Sequence, residues 1–283
     1  ASSHVRQKEC EDALIAGVSV NVGIGTFQVA SAASMLSYDG RCKTLDMSAD
    51  GYAKGECCVV LRVTSSASEH GLVPSQALSA GGARTASLAM LTQTGVNQDG
   101  RSSSLTAPNG PSQQALVSDV LLRAGLHGGM LARLEMHGTG TSLGDPIEVG
   151  AALEVLAPPV TVGDAFIAHT ITLEGAKPRV GHCEPGAGVA GVLFALSSLT
   201  QRHASSLVHL RHLNPHVEAA TTRAQIGVHA RAPVLPRQLA GRPIVEMGTS
   251  DGTITSYGST RRSGVSGFAF QGTNAHAILS HDA

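Results

Sequence analysis

Charged and aromatic residues are scarce in this sequence. Only 14% of its 283 residues are Asp, Glu, Lys or Arg, and only 3% are aromatic, without a tryptophan. An ordinary soluble domain has about 25% charged residues. With a net charge of -1, the chain lacks the basic field that attracts nucleic acid. Together with 33 glycines, this composition indicates tightly packed backbone and argues against nucleic acid as a partner.

Long hydrophobic runs and cysteine pairs are missing as well. The most apolar stretch near the start, residues 13–25, is interrupted by Ser19 and Asn21, and it is shorter than the roughly 20 residues that cross a bilayer. We therefore expect no membrane segment and no signal peptide. The five cysteines contain no C-x-x-C pair, so neither a metal site nor a disulfide framework is expected. This pattern favours a reducing, cytoplasmic compartment.

Strand and helix signals alternate along the chain. Runs of β-branched residues predict mostly buried strands at residues 13–20, 57–63, 131–136 and 264–270. Helices are predicted at residues 111–124, from Asp145 onwards, and at residues 185–201. At the second helix, Asp145 as N-cap and Glu148 three residues later match a capping box in its acidic form.

The composition of the third helix indicates the layering. Residues 185–201 are rich in glycine and alanine, which predicts a helix buried between two sheets and a layered α/β fold. The Pro- and Gly-rich region 231–262 is predicted to be a long surface excursion.

Two histidines lie where elements end or begin. His137 follows a predicted buried strand and starts the HGTGT loop, and His182 comes just before the third helix. The positive end of that helix disfavours an imidazolium. Two neutral imidazoles can both donate hydrogen bonds to an oxygen that gains negative charge, as chemistry at a thioester requires. For either histidine alone, a purely structural turn is the open alternative.

A third stretch near the C-terminus reads SGFAFQGTNAH. Phe268 and Phe270 precede a tight turn into a final strand. Two phenylalanines in three positions are unusual in so aromatic-poor a chain, although a buried strand with an ordinary turn is an open alternative.

Three motifs carry a resemblance to a known family. These are NQDGRSSSLTAPNGPSQQAL at residues 97–116, HGTGTSLGDPIEVGA at residues 137–151 and GFAFQGTNAHAIL at residues 267–279. They resemble β-ketoacyl synthase domains of type I modular polyketide synthases, which are members of the thiolase superfamily. The resemblance implies a layered α-β-α-β-α thiolase-like fold with an incomplete N-terminal part. Residues 1–65 would be the remainder of its N-terminal half, and residues 66–283 its C-terminal half.

The resemblance also implies a reaction, a decarboxylative Claisen condensation in polyketide or fatty acid biosynthesis. In the family, an acyl chain on a cysteine thiol is extended by a malonyl-type unit, which is carried on the phosphopantetheine of an acyl carrier protein. No cofactor would be bound directly. The implied partners are the acyl carrier protein, neighbouring polyketide synthase domains and a second ketosynthase domain in a homodimer.

Site residues follow from the motifs by position. His137 and His182 would stabilise the enolate of the malonyl thioester, and Lys177 is the family's lysine before the second histidine. Thr139 and Thr141 would meet the phosphopantetheine arm. Phe270 would be the gating residue, with its backbone N–H in an oxyanion hole.

The sequence departs from the family pattern at Arg179, at Gln271 and at Pro185, which stands in place of a small residue and is compatible with a helix start. Arg179 replaces an asparagine, and we expect its charge to disfavour protonation of His182 and to crowd the pocket. Gln271 stands where glycine is usual, and we expect it to restrict the turn and hinder the gate.

The family's TACSSS-like nucleophile segment is not found in these residues. We expect a chain truncated before it, inactive in condensation on its own, with all five cysteines non-catalytic. The alternatives are a non-catalytic ketosynthase-like module, structural or carrier-protein-binding, and a thiolase-like enzyme that uses coenzyme A thioesters.

Two other patterns are given structural interpretations. The GxGxxG of residues 186–191 follows no strand, so it does not predict a dinucleotide site. Four histidines between residues 203 and 216 are separated by Asn214 and Pro215, which break any helix that would align them on a metal.

Overall fold

The computed structural model describes residues 1–65, 76–78, 84–102, 107–156, 161–162, 165–166, 171–201, 206–226, 233–234 and 260–282. The helices are α1 (Ser2–Arg6), α2 (Gly25–Ala32), α3 (Gly110–Arg123), α4 (Gly144–Leu156), α5 (Lys177–Val180), α6 (Ala187–Gln201) and α7 (Pro215–Ile226). The strands are β1 (Asp12–Ser19), β2 (Cys57–Thr64), β3 (Gln76–Leu78), β4 (Arg84–Ala86), β5 (Met90–Gln98), β6 (Arg133–Glu135), β7 (Thr161–Val162), β8 (Ala165–Phe166), β9 (Ile171–Glu174), β10 (Pro233–Val234), β11 (Thr260–Phe268) and β12 (Thr273–Asp282). Two 3-10 turns occur at Gly128–Met130 and Glu184–Gly186.

The largest sheet has six strands in the order β10-β9-β6-β11-β12-β5. Strands β9, β6 and β11 are parallel neighbours, and β12 runs antiparallel to both β11 and β5. Successive side chains of a strand point to opposite faces of the sheet. Accordingly, Ile278 of β12 joins the apolar core formed with α3, α4 and α7, while Leu279 joins a second core formed with α6.

Helix α6 lies between two sheets, as the small residues predicted. On one side it contacts β6, β11 and β12, and on the other it contacts the two-stranded antiparallel sheet β1-β2. Glycines permit the close approach: a Cβ on Gly17 would lie 2.9 Å from Cα of Gly186, and one on Gly191 would lie 3.4 Å from Cγ of Glu135. Gly186 and Gly191 of the GxGxxG pattern therefore belong to layer packing, whereas a Cβ on Gly188 would meet open space.

The small sheet differs from the prediction of mostly buried strands. Its side chains alternate in burial, so that Leu14 is 72% exposed and Val60 is 56% exposed. Cys58, which the sequence placed in the core, is exposed too. The reason is that α6 covers only one face of this sheet within the part of the chain that the structure describes.

The other boundary predictions have mixed outcomes. The helix at residues 111–124 is α3, and the side chain of Asn109 accepts a hydrogen bond from the Ser112 N–H at 3.2 Å. The prediction of a capping box was wrong. Helix α4 begins at Gly144, and the carboxylates of Asp145 and Glu148 accept backbone N–H groups outside this helix. Apart from β10 and residues 260–262, the predicted excursion lies outside the described residues.

No helix in the described ranges combines the length and apolarity needed to cross a membrane.

Candidate active site

The candidate site lies where the carboxyl ends of three parallel strands meet. His137 follows β6, Lys177 and His182 follow β9, and Phe268 ends β11. Residues at the carboxyl ends of neighbouring parallel strands share one edge of the sheet, which is the usual place for sites in α/β folds. The topology thus brings together motifs that are far apart in sequence.

Two buried carboxylates hold the loop that carries His137. Glu148 accepts the N–H of His137 at 2.6 Å through Oε1 and that of Gly138 at 2.8 Å through Oε2. Asp145 accepts the N–H of Gly140 at 3.1 Å and, from a distant loop, that of Leu45 at 2.8 Å. The D-x-x-E spacing predicts caps of α4 and does not indicate this function. Only the folded structure reveals it: both carboxylates are buried, and carboxylates are almost never fully buried without partners.

The two histidine rings face each other edge to face. Their centroids are 5.5 Å apart and their planes are 88° apart. Nδ1 of His137 accepts the N–H of Phe268 at 3.2 Å, and Nδ1 of His182 accepts the N–H of Glu184 at 3.2 Å. Because Nδ1 is an acceptor in both neutral rings, Nε2 carries the proton in both. The site therefore holds two Nε2–H donors.

Burial and nearby lysines keep both rings neutral. Burial lowers the pKa of His137 well below its usual 6.5, and Lys177 and His182 lower it further. For His182, burial is again the largest cause, followed by Lys177 and Lys54, and its pKa falls to about 3. The sequence predicts a neutral His182 from a helix terminus, whereas desolvation and two lysines produce it here.

Lys177 is buried among acidic groups, and its charge acts on both histidines. Burial lowers the pKa of its ammonium, while the carboxylates of Glu135 and Glu148 act in the opposite direction. Glu135 accepts the N–H of Ala176 at 2.7 Å through Oε1, and its buried Oε2 has no hydrogen-bond partner among the described residues. Burial raises the pKa of Glu135 to about 8, so this carboxyl holds its proton at neutral pH.

The remaining predicted site residues lie around this centre. Thr139 is buried, and its Oγ1 is 3.4 Å from Oγ1 of Thr141, which accepts the Gly144 N–H at 3.1 Å. Phe270 lies in the turn after β11 with 57% of its surface exposed. The ring beside His137 is that of Phe268, at 5.7 Å between centroids, a contact that the motif alone did not indicate.

The structure corrects the expectation for Arg179 and places Gln271 outside the glycine-only conformation of the turn. Arg179 is exposed and donates to Ser206 Oγ at 2.8 Å, and it is not among the charges that shift the pKa of His182. The expectation that it perturbs His182 was therefore wrong, because the guanidinium points to another loop. At the turn, the positive φ of 88° belongs to Gly272. Gln271 needs no glycine-only conformation in this structure.

Two of the thiols, those of Cys42 and Cys183, have the properties of structural cysteines. All five are free, and burial raises the pKa of Cys42 and raises that of Cys183 to about 11. A thiol with a raised pKa is a weak nucleophile at neutral pH. Among the described residues, no group of three or more His, Cys, Asp or Glu side chains is arranged to hold a metal ion.

Comparison with known proteins identifies the family. Two family models match the chain, the β-ketoacyl synthase N-terminal domain over residues 1–68 and the β-ketoacyl synthase C-terminal domain over residues 88–211. Mycoketide-CoA synthase of Mycobacterium tuberculosis is 35% identical over 283 residues, which cover 99% of this chain and 6% of that protein. Erythronolide synthase EryA3 of Saccharopolyspora erythraea is 34% identical over 281 residues, 99% of this chain and 8% of that protein. The chain thus spans a small part of these long relatives.

Solved structures agree with the sequence matches. The ketosynthase from module 6 of the bacillaene synthase of Bacillus subtilis has a TM-score of 0.77 and 27% identity, over 100% of this chain and 45% of that chain. The oxazolomycin ketosynthase domain KS7 of Streptomyces albus has a TM-score of 0.78 and 28% identity, over 99% of this chain and 43% of that chain. With its thiolase-like layered α/β fold, the chain belongs to the β-ketoacyl synthase family, as a ketosynthase domain of the kind found in modular polyketide synthases.

Proposed function

We propose that this domain takes part in decarboxylative Claisen condensation, with His137 and His182 as the donors that stabilise the enolate. The observation that carries the proposal is the pair of neutral, partly buried imidazoles, whose ring centroids are 5.5 Å apart and whose Nδ1 atoms each accept a backbone N–H. Loss of carbon dioxide from a malonyl thioester leaves its electron pair on the thioester enolate. Two Nε2–H donors aimed at one oxygen stabilise that charge without proton transfer.

Lys177 has an electrostatic role in this proposal. Burial lowers the pKa of both histidines and the positive charge of Lys177 lowers it further, so neither ring becomes an imidazolium that would lose its hydrogen-bonded tautomer. Thr139 and Thr141 are proposed to contact the phosphopantetheine arm of an acyl carrier protein, and Phe270 to act as the gate and oxyanion-hole donor. A partner carrier protein, neighbouring polyketide synthase domains, a homodimer and a cytoplasmic location belong to the same proposal.

The 283 residues by themselves are proposed to decarboxylate but not to condense. Condensation needs an acyl-bearing thiolate, and the raised pKa values of Cys42 and Cys183 make those thiols poor candidates. The alternative, a non-catalytic module, was suggested by Arg179 and Gln271. Since Arg179 points to Ser206 and Gln271 has an ordinary φ, neither residue favours it.

The test is release of carbon dioxide from malonyl-loaded acyl carrier protein. We expect slow release by the chain, and a loss of about 100-fold in His137→Ala and in His182→Ala, the effect of removing one oxyanion donor. His4→Ala is the matched control, because His4 is exposed. Equal rates in all of these proteins would refute the role of the histidines. A ketoacyl product above a heat-treated control would refute the absence of condensation.

A further inference from the structure

The backbone of His182 is fixed on both sides, so the setting of its ring depends on the residues after it. Its N–H donates to Ala53 O at 2.7 Å, and its C=O accepts the N–H of Gly55 at 2.9 Å. The segment thus pairs with residues 53–55 through an isolated bridge between Lys54 and His182. The hydrogen bond that orients the imidazole is the one that Nδ1 accepts from the Glu184 N–H.

Glu184 reaches Nδ1 from an unfavourable conformation. Its φ is 42°, in the left-handed region that favours glycine, since Cβ of other residues crowds the following carbonyl. Such conformations persist only when surrounding contacts hold them. A side chain at this position must therefore be retained by its partners.

Two partners hold the Glu184 carboxylate. Lys54 Nζ forms an ion pair with Oε1, and the Tyr52 hydroxyl donates to the same oxygen at 3.1 Å. The Lys54 side chain is 3% exposed and lies 5.6 Å from the Phe27 ring centroid, so removing the carboxylate would leave a buried charge. Burial and Glu184 raise the pKa of Tyr52, so its hydroxyl stays a donor at neutral pH.

The Tyr52 and Lys54 side chains also act directly on His182. The ring of Tyr52 packs edge to face on the imidazole, 4.9 Å between centroids, and Lys54 is one of the two charges that keep the imidazole neutral. The ion pair joins residues 130 positions apart in the chain, so it connects the β1-β2 side of the molecule to the turn before α6.

We propose that Tyr52, Lys54 and Glu184, here called the Glu184 latch, are positioning residues for His182. The ion pair holds Glu184 in its left-handed conformation, and that conformation aims the Glu184 N–H at Nδ1 and leaves the ring proton on Nε2. The importance of this tautomer rests on the proposed role of His182 as a donor. Without the latch, Glu184 relaxes, Nδ1 loses its donor and both tautomers are populated.

Two double variants separate the latch from general effects of losing an ion pair. Lys54→Met with Glu184→Ala and Lys54→Met with Glu184→Gly both remove the pair without leaving a buried charge. They differ only at position 184, where glycine adopts a positive φ without strain and alanine does not. The ring nitrogens of nitrogen-15 labelled histidine report the tautomer, and His182→Gln assigns the signal.

We expect the ratio of Nε2–H to Nδ1–H in His182 to fall by about fivefold or more in the alanine double variant, the scale set by the cost of a left-handed conformation. In the glycine double variant it should stay within about twofold of the parent chain. Lys54→Arg, which preserves the ion pair, and Arg123→Met, which removes an ion pair with Asp119 on α3, should leave the ratio unchanged.

A parent-like ratio in the alanine double variant would overturn the latch, as would an equal fall in both double variants. If the alanine variant does not fold, Tyr52→Phe replaces it and should lower the ratio by a smaller factor; an unchanged ratio would again refute the latch. Because this readout involves no substrate, it fails or succeeds independently of the decarboxylation test.

Discussion

The buried carboxyl of Glu135 makes a quantitative prediction about stability and pH. Its pKa rises from 4.5 to about 8 on folding because of burial. Between these values the folded state holds a proton that the unfolded state has released, so the free energy of unfolding falls as pH rises. From pH 7 to pH 8 this single group should reduce stability by about 1 kcal/mol, since one pKa unit corresponds to about 1.4 kcal/mol.

Other groups titrate mainly below this window. Burial raises the pKa of Glu148 to about 7 and that of Asp145 to about 6. These two groups also reduce the free energy of unfolding as the pH rises, but mainly at lower pH than Glu135 does. The pKa of His182 falls to about 3 and that of His276 to about 4. Histidines with a lowered pKa add stability as the pH rises towards about 6.5, the pKa of histidine in the unfolded chain. Above that pH their contribution to stability is complete. The interval from pH 7 to pH 8 therefore isolates Glu135 best.

The assay is urea unfolding, followed by circular dichroism, at several pH values between 7 and 8. Glu135→Gln carries no titrating proton, so its curve should lack the decline of about 1 kcal/mol that the parent shows. Glu154→Gln, on the exposed side of α4, is the matched control and should keep the decline. Parallel curves for the parent and Glu135→Gln would refute the assignment of a buried, protonated carboxyl.

Two further predictions concern packing and the Arg179 side chain. Gly188→Ala should raise the free energy of unfolding by about 1 kcal/mol, because a Cβ there meets open space and alanine is the better helix former. Gly17→Ala should lower the free energy of unfolding by about 1–3 kcal/mol, because its Cβ would press on Gly186. Urea unfolding measures both variants. A change of the same sign in the two variants would contradict the layer packing. Arg179→Asn should leave decarboxylation within about twofold, since an exposed side chain bound to Ser206 contributes little. A larger loss in the carbon dioxide assay would mean that Arg179 acts on the site after all.

The sequence predicted the centre of the site because its histidines stand at the ends of recognisable elements. His137 follows a buried β-branched run, and His182 precedes a small-residue helix. Parallel pairing of β6 and β9 then brings them together, as the resemblance implied. The layered fold was predictable for the same reason, since alternating strand and helix signals allow few other architectures.

Side-chain directions were not predictable from local pattern. The D-x-x-E spacing fits a capping box as well as two anchors of the preceding loop, and only the folded structure shows that Asp145 and Glu148 bind that loop. Arg179 was expected at the pocket, yet it reaches Ser206. The Lys54–Glu184 pair joins distant segments, and no short-range signal predicts such a contact.

The hydrogen bond from Phe268 to His137 has a consequence for the order of folding. It joins residues 131 positions apart, and Phe268 ends a strand that pairs with β6. Bringing such distant segments together requires closing a long loop, which slows formation of non-local contacts. A folding intermediate in which β11 has not paired with β6 therefore carries a His137 ring without its fixed tautomer, so the pair of donors is complete only after long-range pairing.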